Sequence, residues 1–514
     1  MNSSKSKSAN NMKSNIDYAN TDDTGKVDAS KTDSESKKTT FSISKVGNFP
    51  DWYERALDVG DMVDARYPIK GMYIWKPYGY KTLKFMLNTL SDLLDNTGHN
   101  EAYFPMLVPE SVFGKEGDFL KGFTGEAYVV TKAGTEDLPE KLYVRPTSET
   151  AIYESVRPWI RSFSDLPMKL YQTVNIFRHE TKQTKPMLRL REISKFNEAH
   201  TFHATAEEAE KQIKEGLKIY GEFFNKLMIP FIVVKTPSWD TFAGAVYNYD
   251  MMSVMPDGKA IELASVINLG TKFAKAFGLT YRNKDNKSEY VHQTCYGVSE
   301  RELGVLLSIH GDDRGLIIPP IIAPIQVVIV PVLKKNSEAE IQKAAEDLKA
   351  KLVSSGIRAE VDFRDKGVGD KYYEWEAKGV PIRIEIGTNE LKANKLVVFR
   401  RDKFTKETVD AHTVSSHIIK LMNEITGNLE ATSQEYFKNR IINYKTVAKL
   451  KEKYTERRGM VSLPWCGKEE CGKKLEADIG IPTIGSDESH KTDEPCAACD
   501  GKGHNVNLFF GRTY

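Results

Sequence analysis

Residues 177–203, FRHETKQTKPMLRLREISKFNEAHTFH, set Arg178, Glu180, Arg189, Arg191, Glu192, Glu198 and His200 between apolar positions that alternate as strand residues do. The pattern predicts two strands joined by a polar turn. Val174, Ile176, Leu188, Leu190 and Ile193 form the apolar framework, and residues 181–185 the tip. Alternation puts the charges on one face, with Glu180 on the same side as Arg178. Buried charge at this density is costly unless an opposed partner or a charged ligand compensates it. Arginines at strand ends offer planar forks to carboxylate or phosphate oxygens, so a polyanionic ligand is expected. A surface hairpin laced with salt bridges is the competing reading of this segment alone.

The segment resembles motif 2 of the class II aminoacyl-tRNA synthetases, and within that class the prolyl-tRNA synthetases. The resemblance rests on an ordered set: RPTSET at 145–150, FRHE at 177–180, LRLRE at 188–192, FNEAH at 196–200, CYGVSER at 295–301, HGDDRGLIIPP at 310–320 and KGVPIRIEIG at 378–387. It covers about residues 41–514. The expected fold is an α+β catalytic domain, an antiparallel sheet with flanking helices, over 41–320. An α/β anticodon-binding domain over 321–428 and a small zinc-binding domain over 429–514 are expected to follow.

Length and composition agree with this. A chain of 514 residues is too long for one core, and 40% hydrophobic with 28% charged residues is the balance of a soluble globular protein. No apolar run reaches the roughly 20 residues a membrane helix needs. The N-terminus has no apolar signal core, so a cytoplasmic location is expected. Net charge is only +2, so RNA contacts must come from local patches. Residues 1–40, rich in Ser, Lys, Asp, Asn and Thr, are read as a disordered tail. Residues 75–95 have helical apolar spacing and lead into a short strand that ends in Tyr103, Phe104 and Pro105, resembling motif 1, which implies a homodimer. Further on, a strand at 325–332, a capping box from Ser337 to Glu340, a helix ending at Gly356 and strands at 357–363, 381–386 and 396–400 predict the α/β module.

The resemblance implies an enzyme that activates L-proline with ATP and transfers it to tRNA(Pro). Arg178 would bridge the proline carboxylate and the α-phosphate, and Glu180 would accept from the adenine amino group. Arg189 would meet the distal phosphates and Arg301 would stack on adenine, with Leu190 and Ser299 in the same ATP site. Thr147 and Glu149 match the contacts to the proline amine; Phe196, Glu198, His200 and Phe242 match the pocket wall. The family often has Gln, Thr and His where this chain has Glu262, Ser265 and Ile267. Glu262 and Ser265 retain oxygen ligands for Mg²⁺ and phosphate, whereas Ile267 cannot supply an imidazole hydrogen bond. Cys295 is expected on the catalytic floor.

Arg364, Lys371, Glu374 and Arg383 stand among Tyr372, Tyr373 and Trp375 in the segment resembling the anticodon reader, charged forks beside stacking platforms. Core packing explains Trp375 equally well. At the C-terminus, Cys466-x4-Cys471 and Cys496-x2-Cys499 supply four thiols in two pairs, as a structural zinc site requires. Between His203 and Phe242 there is room for one helix and one strand, but not for the editing insertion of many bacterial prolyl enzymes. Two rivals remain. One is another class II synthetase sharing the anticodon module, such as a threonyl, glycyl or histidyl enzyme. The other is a catalytically silent synthetase-like protein that binds tRNA or regulates translation, against which the retained Arg178, Glu180, Arg189 and Arg301 speak.

Overall fold

The structure, a computed structural model, describes residues 41, 43–115, 125–334, 337–454, 459–502 and 505–514. The reading of residues 1–40 as a tail lies outside them.

The organising element is a mostly antiparallel sheet, eleven-stranded among the described residues. Its central run is Ile232–Lys235, Tyr247–Val254, Ala260–Gly270, His292–Ser299, Glu192–His203 and Met168–Phe177, with Asn100–Glu101 at one edge. The helix Ala206–Lys226 lies across this sheet. Thr205 accepts from the Glu208 amide at its start, and Ile213, Tyr220, Phe223 and Phe224 are buried against Ala264, Val266 and Tyr296. Gly216 is needed at that crossing, because a Cβ there would sit 3.2 Å from both Tyr296 and Val266. The helix Pro77–Asp95 buries Leu83, Met86, Leu87, Leu90 and Leu94 in the same core. The helical reading of residues 75–95 holds, but the strand behind it is only Asn100–Glu101.

The hairpin differs from its sequence reading. Met168–Phe177 and Glu192–His203 pair antiparallel, yet residues 178–191 are loop, so Leu188 and Leu190 are not strand residues. Both are buried nonetheless. The loop is closed by mutual backbone hydrogen bonds between Lys185 and Arg189 and anchored by Tyr53, whose hydroxyl donates to Pro186 O at 2.8 Å.

The second module has a five-stranded sheet in the order Ala359–Val361, Val327–Val332, Ile382–Gly387, Lys395–Arg400, Thr405–Asp410, the first three parallel. Ser337 does cap the helix Glu338–Ser354 by position, but the capping box does not form. Its hydroxyl donates to Lys334 O at 3.2 Å and meets Thr388 Oγ1 at 3.0 Å instead. The helix Val414–Lys438 runs through the expected boundary at 428/429. Beyond it, Met460–Trp465, Asn505–Phe510 and Thr483–Thr492 continue the catalytic sheet through the pair Ser486–Lys235. The C-terminal segment therefore shares a sheet with the catalytic domain while keeping its own small core around Leu463, Leu475 and Leu508.

Candidate active site

The strands bring one face of charged and polar side chains to a cavity of about 420 Å³. Register explains the convergence: Ser265 lies opposite Gly297, and Gly297 opposite Glu198. One step along, Ile267, Cys295 and His200 form the next row, and Ser299 faces Phe196. Thr147, Glu149, Arg178, Phe196, Glu198, His200, Phe242, Glu262, Ser265, Ser299 and Arg301 all line this cavity, as do Ile267 and Cys295. A Cβ on Gly297 would lie 3.1 Å from Asn197 O and 3.2 Å from the Phe196 ring.

Two buried carboxyls meet on one wall. Glu149 accepts from the Thr147 hydroxyl, and burial raises its pKa, with the nearby Glu198 charge adding to the effect. Burial would raise Glu198 too, but hydrogen bonding and charge from His200 outweigh it and hold Glu198 below its ordinary range. Gln172 donates to Glu198 at 2.9 Å, and His200 is held between Glu198 at 3.4 Å and the Tyr153 hydroxyl at 3.0 Å. Arg178 donates from Nε to Pro146 O at 2.9 Å, and burial beside the Arg301 charge lowers its pKa. Two guanidiniums facing one space are costly without an anion between them. Arg301 reaches Glu262 O at 3.2 Å, and Glu302, pushed up to about 8 by burial, accepts from the Ser299 amide at 2.7 Å.

The structure does not bring every expected residue to the cavity. Glu180, Arg189 and Leu190 stand on the 178–191 loop outside its lining; Glu180 and Arg189 pair with each other at 3.2 Å, and Leu190 is buried. Conversely, Asp250, Asn248, Thr236, Asp240 and Glu302 line the cavity without having been singled out. Asp250 accepts from Thr236 at 2.5 Å, from Asn248 at 2.9 Å and from Ser265. The signal was an Asn-x-Asp alternation in an otherwise apolar strand, masked by the apolar run that follows it.

In the α/β module, Arg364, Lys371 and Glu374 belong to an ion-pair network around Asp362. Arg364 meets Asp362 and Glu374, each at 2.6 Å; Lys371, buried, donates to Asp362 O at 3.0 Å. Arg383 is buried too, paired with Glu376 at 2.7 Å and stacked 3.7 Å from the Tyr372 ring centroid. Trp375 is core, donating to Asp362 at 2.8 Å, whereas Tyr373 is 53% exposed and available for stacking. At the far end, the sulfurs of Cys466, Cys471, Cys496 and Cys499 lie within 4.8 Å of one another. A tetrahedron with Zn–S bonds of about 2.3 Å has edges of about 3.8 Å, so this donor set fits zinc with slight contraction.

An antiparallel sheet carrying two arginines over an acidic pocket is thus followed by an α/β module. Residues 128–310 match the tRNA synthetase class II core domain (G, H, P, S and T), and residues 326–421 the anticodon binding domain. The proline–tRNA ligase of Thermococcus kodakarensis is 44% identical over 472 residues, 91% of this chain and 98% of that one; that of Methanococcoides burtonii is 44% identical over 469 residues, 91% and 97%. The Giardia lamblia prolyl-tRNA synthetase in complex with prolyl-adenylate superposes with a TM-score of 0.88 at 34% identity, covering 92% of this chain and all of that one. The chain belongs to the prolyl-tRNA synthetase family, the class II proline–tRNA ligases.

Proposed function

We infer that this chain forms prolyl-adenylate from L-proline and ATP and passes the prolyl group to the 3′ end of tRNA(Pro). The observation that carries this reading is that Arg178 and Arg301 line one cavity together with Glu149 and Glu198. The proline carboxylate attacks the α-phosphate and pyrophosphate leaves, so negative charge must be held at two points while it redistributes. Arg178 takes the carboxylate and α-phosphate, and Arg301 the adenine face. Glu149 and Thr147 receive the secondary ammonium, while Phe196, Phe242 and Ile267 enclose the ring. Glu180 and Arg189 reach ATP by exchanging their mutual ion pair for contacts to the adenine and the distal phosphates, with Leu190 packing beneath. The oxygens of Glu262 and Ser265, 3.5 Å apart, suit Mg²⁺, which would neutralise phosphate charge there. The four cysteines would hold a structural zinc.

The anticodon is read on the α/β module beside Tyr373, with the Arg364–Glu374 pair at the surface. Lys371 and Arg383 act by holding that surface. Tyr103 and Leu107, which follow the motif 1 helix in the chain, and Trp159, beside Phe104, are exposed and support a homodimer. A cytoplasmic location is in keeping with action on tRNA, and no described helix is long and apolar enough to cross a membrane. Substituting Arg178→Ala tests the reading: proline-dependent ATP/pyrophosphate exchange falls by two orders of magnitude or more, about 3 kcal/mol at the barrier. Near wild-type exchange by a folded variant would refute the role.

A further inference from the structure

Between the strands Ile232–Lys235 and Tyr247–Val254 runs a loop whose two sides face different parts of the molecule. Asp240 and Phe242 line the amino-acid cavity, whereas Trp239, between them and the strand, points to the cysteine-bearing segment. There it is gripped on several sides. Its ring meets Trp465 edge-on at 6.3 Å between centroids, and Gly472 approaches so closely that a Cβ would lie 2.4 Å from the indole. Lys473 stands 5.9 Å over the ring, and Ser238 donates to Glu469 at 2.7 Å. Trp465 immediately precedes Cys466 and Gly472 immediately follows Cys471, so the notch is built on the covalent neighbours of two of the four thiols.

We propose that Trp239, seated in the Gly472 notch, is a positioning residue that sets the Phe242 rim of the amino-acid pocket, so that the C-terminal cysteine segment tunes amino-acid recognition. The path is short. Asp240 N and the Thr241 hydroxyl both donate to Pro237 O at 3.0 Å, so the rim residues are folded onto the turn that carries Trp239. On the other side, Phe242 N donates to Asn248 Oδ1 at 3.3 Å, and Asn248 bonds Thr236 and Asp250 on the cavity floor. A displaced indole therefore moves the Phe242 wall, while Arg178, at the start of the 178–191 loop, and Arg301, at the start of the helix Arg301–His310, stay in place. The inference rests on the reading of the cavity as the proline site.

The test compares Gly472→Ala, Trp239→Phe, the double variant and Trp239→Ala in proline-dependent ATP/pyrophosphate exchange, with melting temperature and zinc content as controls. Gly472→Ala should raise the KM for proline about tenfold with the KM for ATP unchanged, and should narrow discrimination against alanine. The smaller ring of Trp239→Phe should restore the proline KM in the double variant. Trp239→Ala, which removes the anchor without overpacking, should raise the proline KM likewise and serves if Gly472→Ala does not fold. A wild-type proline KM in Trp239→Ala, or proline and ATP KM rising together without recovery in the double variant, would overturn the proposal. Phe242→Ala separates the two ideas. If it leaves the proline KM unchanged, the pocket reading falls; if it raises that KM while Trp239→Ala does not, only the coupling falls.

Discussion

Glu149 and Glu198 stand on one wall, and their surroundings push their protonation apart, Glu149 upward through burial and Glu198 downward through His200. Proline arrives with a cationic amine, and Glu149 can answer it only when ionised. As pH falls through the raised Glu149 pKa, the proline KM should climb while the ATP KM stays level. Glu149→Gln should lose that acid limb and bind proline about 30-fold more weakly, corresponding to about 2 kcal/mol; a retained limb would reassign it to another group. Glu302 gives a second, thermodynamic prediction. Its carboxyl, usually near 4.5, is pushed up to about 8, so between these values the folded state keeps a proton that the unfolded state has released. Stability therefore falls as pH rises across that window. Glu302→Gln should flatten the slope and raise the melting temperature at pH 8 by about 2 °C or more, as parallel melts at pH 5 and pH 8 would show. At this scale, Phe196, Glu198 and His200 were legible because strand alternation alone puts them on one wall. Asp250 was not, because its role depends on which strand becomes its neighbour. Nor could the pairing of Arg383 be read, since a charged residue looks the same whether it meets RNA or a buried Glu376.

Among the elements, the segment after Phe177 shows where alternation misleads. The apolar residues of LRLRE read as strand, yet they anchor a closed loop, because Leu188 and Leu190 find burial without ladder hydrogen bonds. The chain end behaves in a similar way. Ala260 N donates to Arg512 O at 2.8 Å, two residues before Glu262 on the same strand, and the Tyr514 hydroxyl donates to Asp257 at 2.8 Å. Lys185, from the 178–191 loop, stands 5.7 Å from the Tyr514 ring centroid. The final residues thus bridge the strand of Glu262 and the loop that carries Arg189. Deleting Thr513 and Tyr514 should lower kcat for aminoacylation about tenfold or more while shifting the melting temperature little. Equal activity of the truncated enzyme would make the tail passive.

Over the whole molecule, order and spacing of motifs announced the catalytic and α/β modules, whereas the joining of the C-terminal strands to the catalytic sheet left no local mark. That joining rests on register between segments some 250 residues apart, paired at Ser486 and Lys235. The cysteine cluster should retain about one zinc per chain, with its four thiols untitratable until a chelator is added; elemental analysis finding no zinc would remove the site. Between His203 and Phe242 the chain holds only the helix Ala206–Lys226, the strand Ile232–Lys235 and the turn of Trp239. Alanine should therefore be activated to a measurable extent, because a pocket shaped for proline rejects it only by the contacts it forfeits, about 1–3 kcal/mol per methylene. Alanyl-tRNA(Pro) should survive incubation with the enzyme, and its rapid hydrolysis would reveal an editing site. The most direct test of the account is ATP/pyrophosphate exchange across all twenty amino acids. Proline should give the highest kcat/KM, with alanine and cysteine following at a distance; exchange led by threonine, glycine or histidine, or absent with every amino acid, would contradict it.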